Sequence, residues 1–415
     1  MSDQEQHPGE GPHASMVGTQ FEAQIGKVAH GGHCVTRHDG RVVFVRHALP
    51  GETVRVQITE GRAGDRFMLG DAIEILEASE HRVVPRCRFA GPGSCGGCDW
   101  QHSDLTYQRE LKAAVVAEQF QRLAGIEVAV LVEALPGDQE GLRWRTRTEF
   151  AIDGSGAAGL RRHHSHAIIP VDDCLISTGR VIATGVLDRP WPGAASVDVV
   201  DASGEPCALT VPLPQRSSTH QYVTERVVAG DWSGEFRLSV RGFWQVHPAA
   251  AATFVAHVLR ELEPKPGERA TDLYAGVGLF ALALADAVGT TGAVLAIESD
   301  ARAFGDAKAN LRAHPEIELR RGKVDRVLKP LVRQEIHSDL VVLDPPRTGA
   351  GKSVIKDIAA LRPRAVAYVA CDPAALARDV AYARNVGYGI RSLRAFDAFP
   401  MTHHVECIAI LEPLT

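Results

Sequence analysis

The sequence lacks the features that would place the protein in a membrane or a secretory compartment. No stretch of about 18 consecutive apolar residues occurs, which excludes a predicted transmembrane helix. The N-terminal segment is polar and lacks the basic and apolar regions of a signal peptide. We therefore expect a cytoplasmic protein without a membrane partner, whose eight cysteines bind metal or serve catalysis instead of forming disulfides.

The sequence also lacks a positive net charge. Its formal net charge is −6, which by itself argues against nucleic acid as a partner. Residues 141–170, however, carry more basic groups than the two acidic ones, Glu149 and Asp153. The basic members are Arg143, Arg145, Arg147, Arg161 and Arg162, with His163, His164 and His166 beside them. Such a patch can contact phosphates even on an acidic protein, and a solvated strand face is the alternative.

The length of 415 residues exceeds what one hydrophobic core supports and predicts a multidomain chain. Residues 1–19 are predicted to form a disordered tail, and residues 20–78 an OB-like β-barrel of short alternating strands. Residues 79–245 combine a cysteine-rich loop, a helix and a central, mostly antiparallel β domain. Over residues 246–415 strands alternate with helices, which predicts a Rossmann-like α/β domain with its ligand at the carboxyl ends of the strands.

A glycine-rich turn follows the first strand of this last domain, within Ala270-Thr-Asp-Leu-Tyr-Ala-Gly-Val-Gly-Leu-Phe-Ala281. Gly276 and Gly278 allow a tight turn and a close approach of a ligand to the backbone. Glu298 ends the next apolar run, where a carboxylate can accept hydrogen bonds from both ribose hydroxyls. The pattern predicts a nucleoside cofactor, and its match to G-x-G-x-x-A keeps NAD as an alternative.

Two further strands end in groups suited to catalysis. Asp344 follows one apolar strand and precedes two prolines that stiffen the exit from the sheet. Cys371 follows the next strand and precedes a helix, whose N-terminal dipole favours a thiolate. A basic neighbour such as Arg347 or Arg378 would act in the same direction. We therefore predict that Cys371 is a nucleophile.

A proton acceptor is predicted in the tail segment Pro400-Met-Thr-His-His-Val-Glu406. Glu406 begins an apolar strand, where burial would raise its pKa into the working range of a general base. His403 and His404 could serve the same purpose and remain alternatives.

Five short motifs occur in order along the C-terminal half of the chain. They are Phe243-x-Gln245, Asp272-Leu-Tyr-x-Gly-x-Gly278, Asp344-Pro-Pro-Arg347, Cys371-x-Pro-x-x-Leu-Ala-Arg-Asp379 and Pro400-x-Thr-x-His-Val-Glu406. This series resembles the RNA (uracil-5-)-methyltransferases, which use S-adenosylmethionine. The N-terminal barrel is similar to the TRAM domain of many members, and the resemblance is weakest at residues 180–235.

The resemblance implies a division of roles among the candidate residues. Cys371 would attack C6 of uracil, the methyl group would go to C5, and Glu406 would then remove the C5 proton. The positions implied for cofactor binding are Gln245, Tyr274, Gly276, Gly278, Glu298, Lys323 and Asp344. The target base would have to be extruded from folded RNA to reach this site.

A second group of cysteines, here called the cysteine set, consists of Cys87, Cys95, Cys98 and Cys174. Two glycines between Cys95 and Cys98 let both thiolates face one metal centre, and Cys174 is the candidate fourth ligand. Four thiolates accept either zinc or an iron–sulfur cluster. The family resemblance implies a 4Fe–4S cluster with a structural or RNA-shaping role.

Together these observations predict an S-adenosylmethionine-dependent enzyme that methylates uracil C5 in structured RNA. The resemblance favours 23S rRNA, with tRNA as the alternative, and implies no protein partner. Two readings from other classes remain open at this point. One is an NAD-dependent oxidoreductase that uses the glycine-rich turn, and the other is an RNA-binding module with an inactive methyltransferase domain.

Overall fold

The computed structural model describes residues 14–138, 140–211 and 221–414. They divide into two compact units, each described separately below. The first unit comprises residues 14–94 and Cys98–Asp104. The second comprises Cys95–Gly97 and residues 105–414. The sequence-based domain boundaries after residues 78 and 245 stay predictions.

The first unit is built on a sheet of short strands. These are β1 (Gln20–Gln24), β2 (Cys34–His38), β3 (Arg41–Arg46), β4 (Thr53–Glu60) and β5 (Phe67–Glu77). Their order is β1-β4-β5-β3-β2, and all neighbours are antiparallel except β3 and β5. Alternate residues of β4, namely Val54, Val56 and Ile58, are buried, as the two-residue period of the sequence requires. The β-rich N-terminal unit is therefore confirmed.

The disordered tail predicted for residues 1–19 is wrong in its last part. The Met16 amide donates to the Gly61 carbonyl at 3.0 Å, and the Gly18 amide donates to the Ile58 carbonyl at 2.9 Å. Ser15 also forms an isolated β-bridge with Arg62. These residues are ordered because the end of β4 offers them backbone acceptors. Residues 1–13, where the rest of the predicted tail falls, lie outside the described part of the chain.

The second unit contains the remaining described elements. In chain order they are α1 (Leu105–Ala124), β6 (Val132–Ala134), β7 (Arg147–Ile152), β8 (Ala158–Arg161), β9 (Ile168–Pro170), α2 (Gly179–Ala183), β10 (Ser196–Val200), β11 (Cys207–Val211), β12 (Tyr222–Ala229), β13 (Trp232–Ser239), α3 (Ala250–Leu262), β14 (Arg269–Leu273), α4 (Leu279–Val288), β15 (Ala293–Glu298), α5 (Ala301–Asn310), β16 (Ile317–Arg321), α6 (Val324–Arg333), β17 (Leu340–Leu343), α7 (Gly351–Ala360), β18 (Ala365–Ala370), α8 (Pro373–Arg384), β19 (Tyr388–Asp397) and β20 (Glu406–Pro413).

The large sheet of this unit has the strand order β16-β15-β14-β17-β18-β20-β19-β6. The strands from β16 to β18 run parallel, β20 is antiparallel to both of its neighbours, and β6 runs parallel to β19. The sequence prediction of a Rossmann-like sheet that closes with a hairpin-like pair is confirmed. All five parallel strands end at one border, here called the carboxyl edge.

Helices cover both faces of the large sheet, and the alternation of side chains along each strand explains why. In β17, Leu340 and Val342 join the apolar core that also contains side chains of α3 and α4. Val341 and Leu343 join the opposite core, which contains side chains of α1, α6, α7 and α8. Strands buried on both faces are continuously apolar, and burying each such side chain contributes about 1.5–3 kcal/mol.

The central strands form a separate sheet with the order β11-β10-β7-β8-β9, in which neighbouring strands are antiparallel, and β12 pairs with β13 as a hairpin. The predicted antiparallel character of this region is therefore confirmed. None of the helices in residues 14–138, 140–211 and 221–414 is both long enough and apolar enough to cross a membrane.

Candidate active site at the carboxyl edge of the large sheet

Strand register brings three reactive side chains to the carboxyl edge, and we call them the edge triplet. Asp344 directly follows β17, Cys371 directly follows β18, and Glu406 is the first residue of β20. The antiparallel pair of Ala370 with Cys407 is the last of its ladder, so Glu406 lies opposite Cys371 one position further on. Because β17 is the other neighbour of β18, Asp344 approaches the same place from the opposite side.

The two carboxyl groups of the edge triplet have raised pKa values. Glu406 is only 2% exposed, and burial together with the negative charge of Asp344 raises its pKa well above the ordinary value. Burial raises the pKa of Asp344 to about 7. Two carboxylates near each other repel, which disfavours ionisation of both at once. This property is expected of groups that transfer protons during a reaction.

The pKa of the Cys371 thiol is raised, whereas the sequence analysis predicted a stabilised thiolate. Burial, together with the charges of Glu406, Asp344 and Asp372, raises its pKa to about 12, although Arg347 acts in the opposite direction. Arg378 instead donates to the Thr348 carbonyl at 3.0 Å. The prediction of a stabilised thiolate is therefore wrong for the protein without substrate. Desolvation and two nearby carboxyl groups outweigh one cation and the helix terminus.

The N-terminus of α8 also differs from the sequence expectation. Asp372, which separates Cys371 from the helix, accepts a hydrogen bond from the Ala375 amide at 2.7 Å and caps the first turn. A carboxylate in this position offsets the positive end of the helix dipole. It also raises the pKa of the neighbouring Cys371 thiol. Both features disfavour a thiolate at Cys371 in the protein without substrate.

His403 and His404, the alternative proton acceptors, lie in the loop between β19 and β20. Both are partly exposed, and their ring centroids are 4.1 Å apart. Neither belongs to a strand of the large sheet, whereas Glu406 is positioned by its pairing with Phe396 of β19. The register therefore favours Glu406.

The glycine-rich turn has the backbone conformation that its sequence requires. Gly276 and Gly278 have φ values of 56° and 94°, in the left-handed region that favours glycine. A Cβ atom at Gly278 would lie 2.9 Å from the Leu311 side chain. A Cβ atom at Gly276 would meet no described protein atom within 4 Å, so the backbone there is open to a ligand. Tyr274, at the start of the turn, also has a positive φ of 63°.

Glu298 is held by backbone donors at the end of β15. Its Oε2 accepts from the Gly276 amide at 2.8 Å, and its Oε1 accepts from the amides of Ser299 and Asp300 at 2.5 and 2.6 Å. A carboxylate accepts about four hydrogen bonds, so this geometry leaves room for one more. The carboxylate can accept one ribose hydroxyl as it stands. The predicted acceptance of both hydroxyls requires the release of a backbone donor.

Asp272 is a buried acidic residue inside β14 to which the sequence analysis assigned no role. Its Oδ2 accepts from the Ala281 amide at 2.8 Å and so connects β14 to α4. Its Oδ1 is buried and has no hydrogen-bond partner within the described residues. Burial raises the pKa of Asp272 well above the usual value, and nearby Asp344 and Glu298 add to this effect. A charged residue in the strand that leads into the glycine-rich turn was the available sequence signal.

The other candidate cofactor residues lie on different segments. Lys323 is exposed and directly precedes α6, and the amide of the preceding residue, Gly322, donates to the Glu298 carbonyl at 2.9 Å. Lys323 is therefore near the end of β15. Gln245 is buried in the connection between β13 and α3, where the next residue, Val246, accepts a hydrogen bond from the Thr146 amide. The structure places Lys323 at the carboxyl edge. Gln245 is buried but lies on a segment outside the large sheet.

Asp379 holds the loop that follows Asp344. From α8, its Oδ2 accepts hydrogen bonds from the amides of Ala350 and Gly351 at 2.7 and 3.0 Å and from the Tyr368 hydroxyl at 2.7 Å. It thereby caps the N-terminus of α7, which receives no side-chain cap from its own N-cap residue. Sequence reasoning quoted this residue within a motif but gave it no role.

The basic patch divides into internal and exposed members. Arg143 forms a bidentate ion pair with Asp173, and Arg147 donates to the carbonyls of Val240 and Gly242 at 3.1 and 3.2 Å. These arginines stabilise the fold instead of forming a free surface. Arg161 and Arg162 are exposed and line a depression together with His163, His164 and Cys95. Only this part of the patch has the exposure that phosphate contact requires.

The structure does not form a metal site from the cysteine set. Cys87 and Cys98 belong to the first unit, whereas Cys95 and Cys174 belong to the second. Among the described residues, no group of three or more His, Cys, Asp or Glu side chains is arranged to hold a metal ion. The described geometry therefore does not fit the implied cluster, and no chemical step is derived from one.

Comparisons with known proteins define the class. Residues 14–71 match the TRAM domain, and residues 215–413 match the tRNA (uracil-5-)-methyltransferase family. An uncharacterized RNA methyltransferase of Streptomyces avermitilis is 46% identical over 96% of this chain and 99% of its own length. The 23S rRNA (uracil(1939)-C(5))-methyltransferase of Shewanella sp. (strain ANA-3) is 31% identical over 94% of each chain.

A solved structure shares the fold over almost the entire chain. The tRNA (uracil-54, C5)-methyltransferase of Pyrococcus abyssi, in complex with S-adenosyl-L-homocysteine, gives a TM-score of 0.66 at 22% identity. It covers 94% of this chain and 99% of its own. With a methyltransferase fold and these full-length relatives, the chain belongs to the RNA (uracil-5-)-methyltransferase family, whose methyl donor is S-adenosylmethionine. Family membership excludes the NAD-dependent oxidoreductase.

Proposed function

We propose that this protein methylates C5 of a uridine in 23S rRNA, with Cys371 as nucleophile and Glu406 as the base that removes the C5 proton. The observation that carries the proposal is the register of β17, β18 and β20, which brings Asp344, Cys371 and Glu406 to one edge. Uracil C5 is a poor nucleophile until a group adds at C6. A thiol at one strand end, with a carboxyl group on the neighbouring strand at each side, suits that sequence of steps.

The first step consumes the thiol proton. The carboxylate of Asp344 accepts this proton, Sγ of Cys371 forms a bond to C6, and the electron pair of the C5–C6 double bond moves toward O4 as an enolate. A pKa of about 7 suits Asp344 to this role, because it is partly ionised at neutral pH and holds the proton once it is transferred. The raised pKa of Cys371 means that the reaction depends on this transfer.

S-adenosylmethionine, when bound, supplies an electrophilic methyl group for C5. After that transfer, Glu406 takes the proton from C5, the C5–C6 double bond reforms and the bond between Cys371 and C6 breaks. The thiolate then recovers the proton from Asp344. One proton remains on Glu406 and is released to solvent, which balances the conversion of a sulfonium into a neutral thioether.

The residues around the glycine-rich turn fit the cofactor. Gly276 offers open backbone in a conformation suited to close approach, and Asp272 carries a buried oxygen without a partner within the described residues. Glu298 has one acceptor position left for a ribose hydroxyl. Tyr274, Gly278, Lys323 and Gln245 would complete the binding surface. Asp344 borders both the cofactor turn and the nucleophile.

The choice of 23S rRNA over tRNA is supported by the Shewanella relative, whose name gives that substrate and which aligns along nearly its full length. The exposed Arg161 and Arg162 offer contacts to RNA phosphates. The TRAM unit supports a folded RNA as substrate. tRNA is the competing substrate, because the solved structure from Pyrococcus abyssi is that of a tRNA (uracil-54, C5)-methyltransferase.

The 4Fe–4S cluster stays a prediction from the sequence. The cysteine set supplies four thiolates, which suit iron or zinc chemically, although the described geometry does not gather them. Protein purified without oxygen should carry about four iron atoms and four sulfides per chain if the prediction is correct. One zinc ion, or no metal, would contradict it.

The function is tested with methyl-labelled S-adenosylmethionine and unmodified RNA. Wild type and Cys371→Ala are incubated in parallel with 23S rRNA and with bulk tRNA, and the nucleosides are separated after digestion. We expect label in 5-methyluridine from 23S rRNA and none with Cys371→Ala. Label only in tRNA would reassign the substrate. RNA and cofactor binding without any label would support the inactive binding module instead.

A further inference from the structure

Helix α1 carries a polar side that is buried in the second unit. Lys112 is fully buried, and Gln108 and Gln119 are buried as well, although the helix begins close to the boundary of the unit. A lysine is almost never fully buried unless it has a partner of opposite charge. The partners of these side chains therefore indicate what the helix does.

Lys112 contacts the end of the strand that pairs with Glu406. Its Nζ donates to Oδ1 of Asp397 at 2.5 Å and to the Phe399 carbonyl at 3.1 Å. Arg109 donates to the other carboxylate oxygen of Asp397 at 3.2 Å. Asp397 is the last residue of β19, next to Phe396, which pairs directly with Glu406. The ion pair therefore holds the chain directly beside the proposed base.

Gln108 holds the loop that connects β19 to β20. Its Oε1 accepts from the Met401 amide at 2.9 Å, and its Nε2 lies 3.3 Å from the Met401 sulfur. Met401 has a φ of 65°, a backbone conformation that residues other than glycine rarely adopt. Such a conformation persists only where the surroundings impose it. The amide of Gln108 supplies part of that constraint.

We propose that α1 positions the catalytic base, because Gln108 and Lys112 hold the loop 397–401 so that the carboxyl group of Glu406 stays opposite Cys371. Glu406 follows this loop within a few residues. Strand pairing begins at Glu406 and continues along β20, so it does not hold the residues that precede Glu406. Gln108 and Lys112 are positioning residues, since they contact the loop and not the reacting atoms. This inference rests on the proposed function of Glu406.

The proposed chemistry gives this role a specific consequence. If Glu406 is displaced, Cys371 still adds to C6 and C5 still receives the methyl group. The C5 proton is then not removed, so the C5–C6 double bond does not reform and the Sγ–C6 bond persists. A covalent protein–RNA adduct therefore accumulates. A substitution that merely weakens the fold would lower all steps together and would not accumulate this species.

The experiment measures the denaturant-stable adduct on gels, with labelled RNA and S-adenosylmethionine, for Lys112→Met and Gln108→Leu. Glu406→Gln serves as the positive control for trapping. Gln119→Leu is the matched control, because Gln119 is equally buried on the same helix but accepts from Arg122 of that helix. Binding of S-adenosylhomocysteine shows which variants are folded, and Gln108→Leu keeps the test available if removal of the buried lysine prevents folding.

We expect both positioning variants to slow turnover by about tenfold or more and to raise the adduct by a similar factor, while Gln119→Leu behaves as wild type. Folded variants that turn over normally, or that lose turnover without any adduct while Glu406→Gln traps it, would overturn the inference alone. Absence of an adduct with Glu406→Gln would overturn the proposed role of Glu406, and this inference with it.

Discussion

The edge triplet and the cysteine set differ in what holds their side chains. The edge triplet lies on hydrogen-bonded strands of one sheet, so backbone pairs such as Ala370 with Cys407 determine its spacing before any ligand binds. The cysteine set lies on loops that divide between the two compact units. Thiolates carried by loops are commonly brought together by the metal itself, because metal binding is coupled to folding.

This difference explains why a site on strand ends is already formed in a protein without ligands, whereas a site on loops is not. A sheet preorganises its strand ends, and the cost of ordering them is met when the core forms. A site made of loops lacks that support, and its ligand has to supply it. Methyl transfer should therefore be sensitive to single substitutions in the edge triplet and to pH. Its dependence on the cysteine set should follow the content of the predicted metal.

The largest effect is expected for Cys371→Ala, compared with Cys407→Ala as a matched control. Cys371 would make the covalent bond, so its loss should lower methyl transfer by about 10⁴-fold or more. Cys407 lies one ladder position from Glu406 but packs in the apolar core below the sheet, so its loss should cost less than about tenfold. Single-turnover methyl transfer measures both. Equal losses would show that the edge depends on packing and not on the nucleophile.

A smaller effect is expected from the cysteine set. If the predicted cluster binds there, Cys98→Ser should abolish it and lower methyl transfer by about 100-fold at most, since changes around a metal site typically cost 10–100-fold. Metal analysis and single-turnover rates on the same samples are the measurements. A loss as large as that of Cys371→Ala would contradict the division between a catalytic edge and a supporting loop.

The pH dependence comes next. Glu406 must be ionised and Cys371 must lose its proton, and both pKa values are raised, so each of the two groups should contribute a fall in rate of about tenfold per pH unit on the acid side. Asp344→Asn removes the proposed proton acceptor and should lower the rate, and because it also removes a charge that raises both pKa values, the activity that remains should have this limb at lower pH. Arg347→Ala removes the cation that lowers the pKa of Cys371, and should move it to higher pH. Shifts of the same sign would contradict the electrostatic account.

The smallest effect is expected beside the edge, at Asp379→Asn. The substitution keeps the shape but weakens three hydrogen bonds to a charged acceptor, and should lower the free energy of unfolding by about 1–2 kcal/mol. Tyr368→Phe removes one of these bonds and should cost less. Urea unfolding measures both. A larger loss of unfolding free energy for Tyr368→Phe would show that Asp379 stabilises the fold mainly through the Tyr368 hydroxyl and not through the cap of α7.

Much of the fold could be predicted because it depends on local pattern. The apolar run at residues 365–370 forms β18 with these bounds, and the alternation of strands and helices predicted over residues 246–415 begins with α3 at Ala250. Apolar runs bounded by glycine or polar residues specify such elements by themselves. The ordering of residues 15–18 was not predicted, because their backbone partners are distant in sequence. β2 was not predicted either, although it forms a local hairpin with β3.

The candidate site was predictable in part for the same reason. Strand ends in an alternating α/β pattern meet at one edge, so Asp344, Cys371 and Glu298 could be assigned to a site from sequence alone. The raised pKa of the Cys371 thiol could not, because it results from burial in the folded chain and from Glu406 and Asp344, which other strands bring close. The contacts of Lys112 with Asp397 likewise join residues far apart in the chain.

The sequence by itself determined the order of elements, the glycine-rich turn and the reactive residue types at the strand ends, because backbone conformation and hydrophobic period are local properties. Only the tertiary structure decided the pKa values of those residues, the contacts of α1 with residues 397–401 and the capping of α7 by Asp379. These depend on burial and on charges brought together by long-range pairing, and free energies of that kind exist only once the chain has folded.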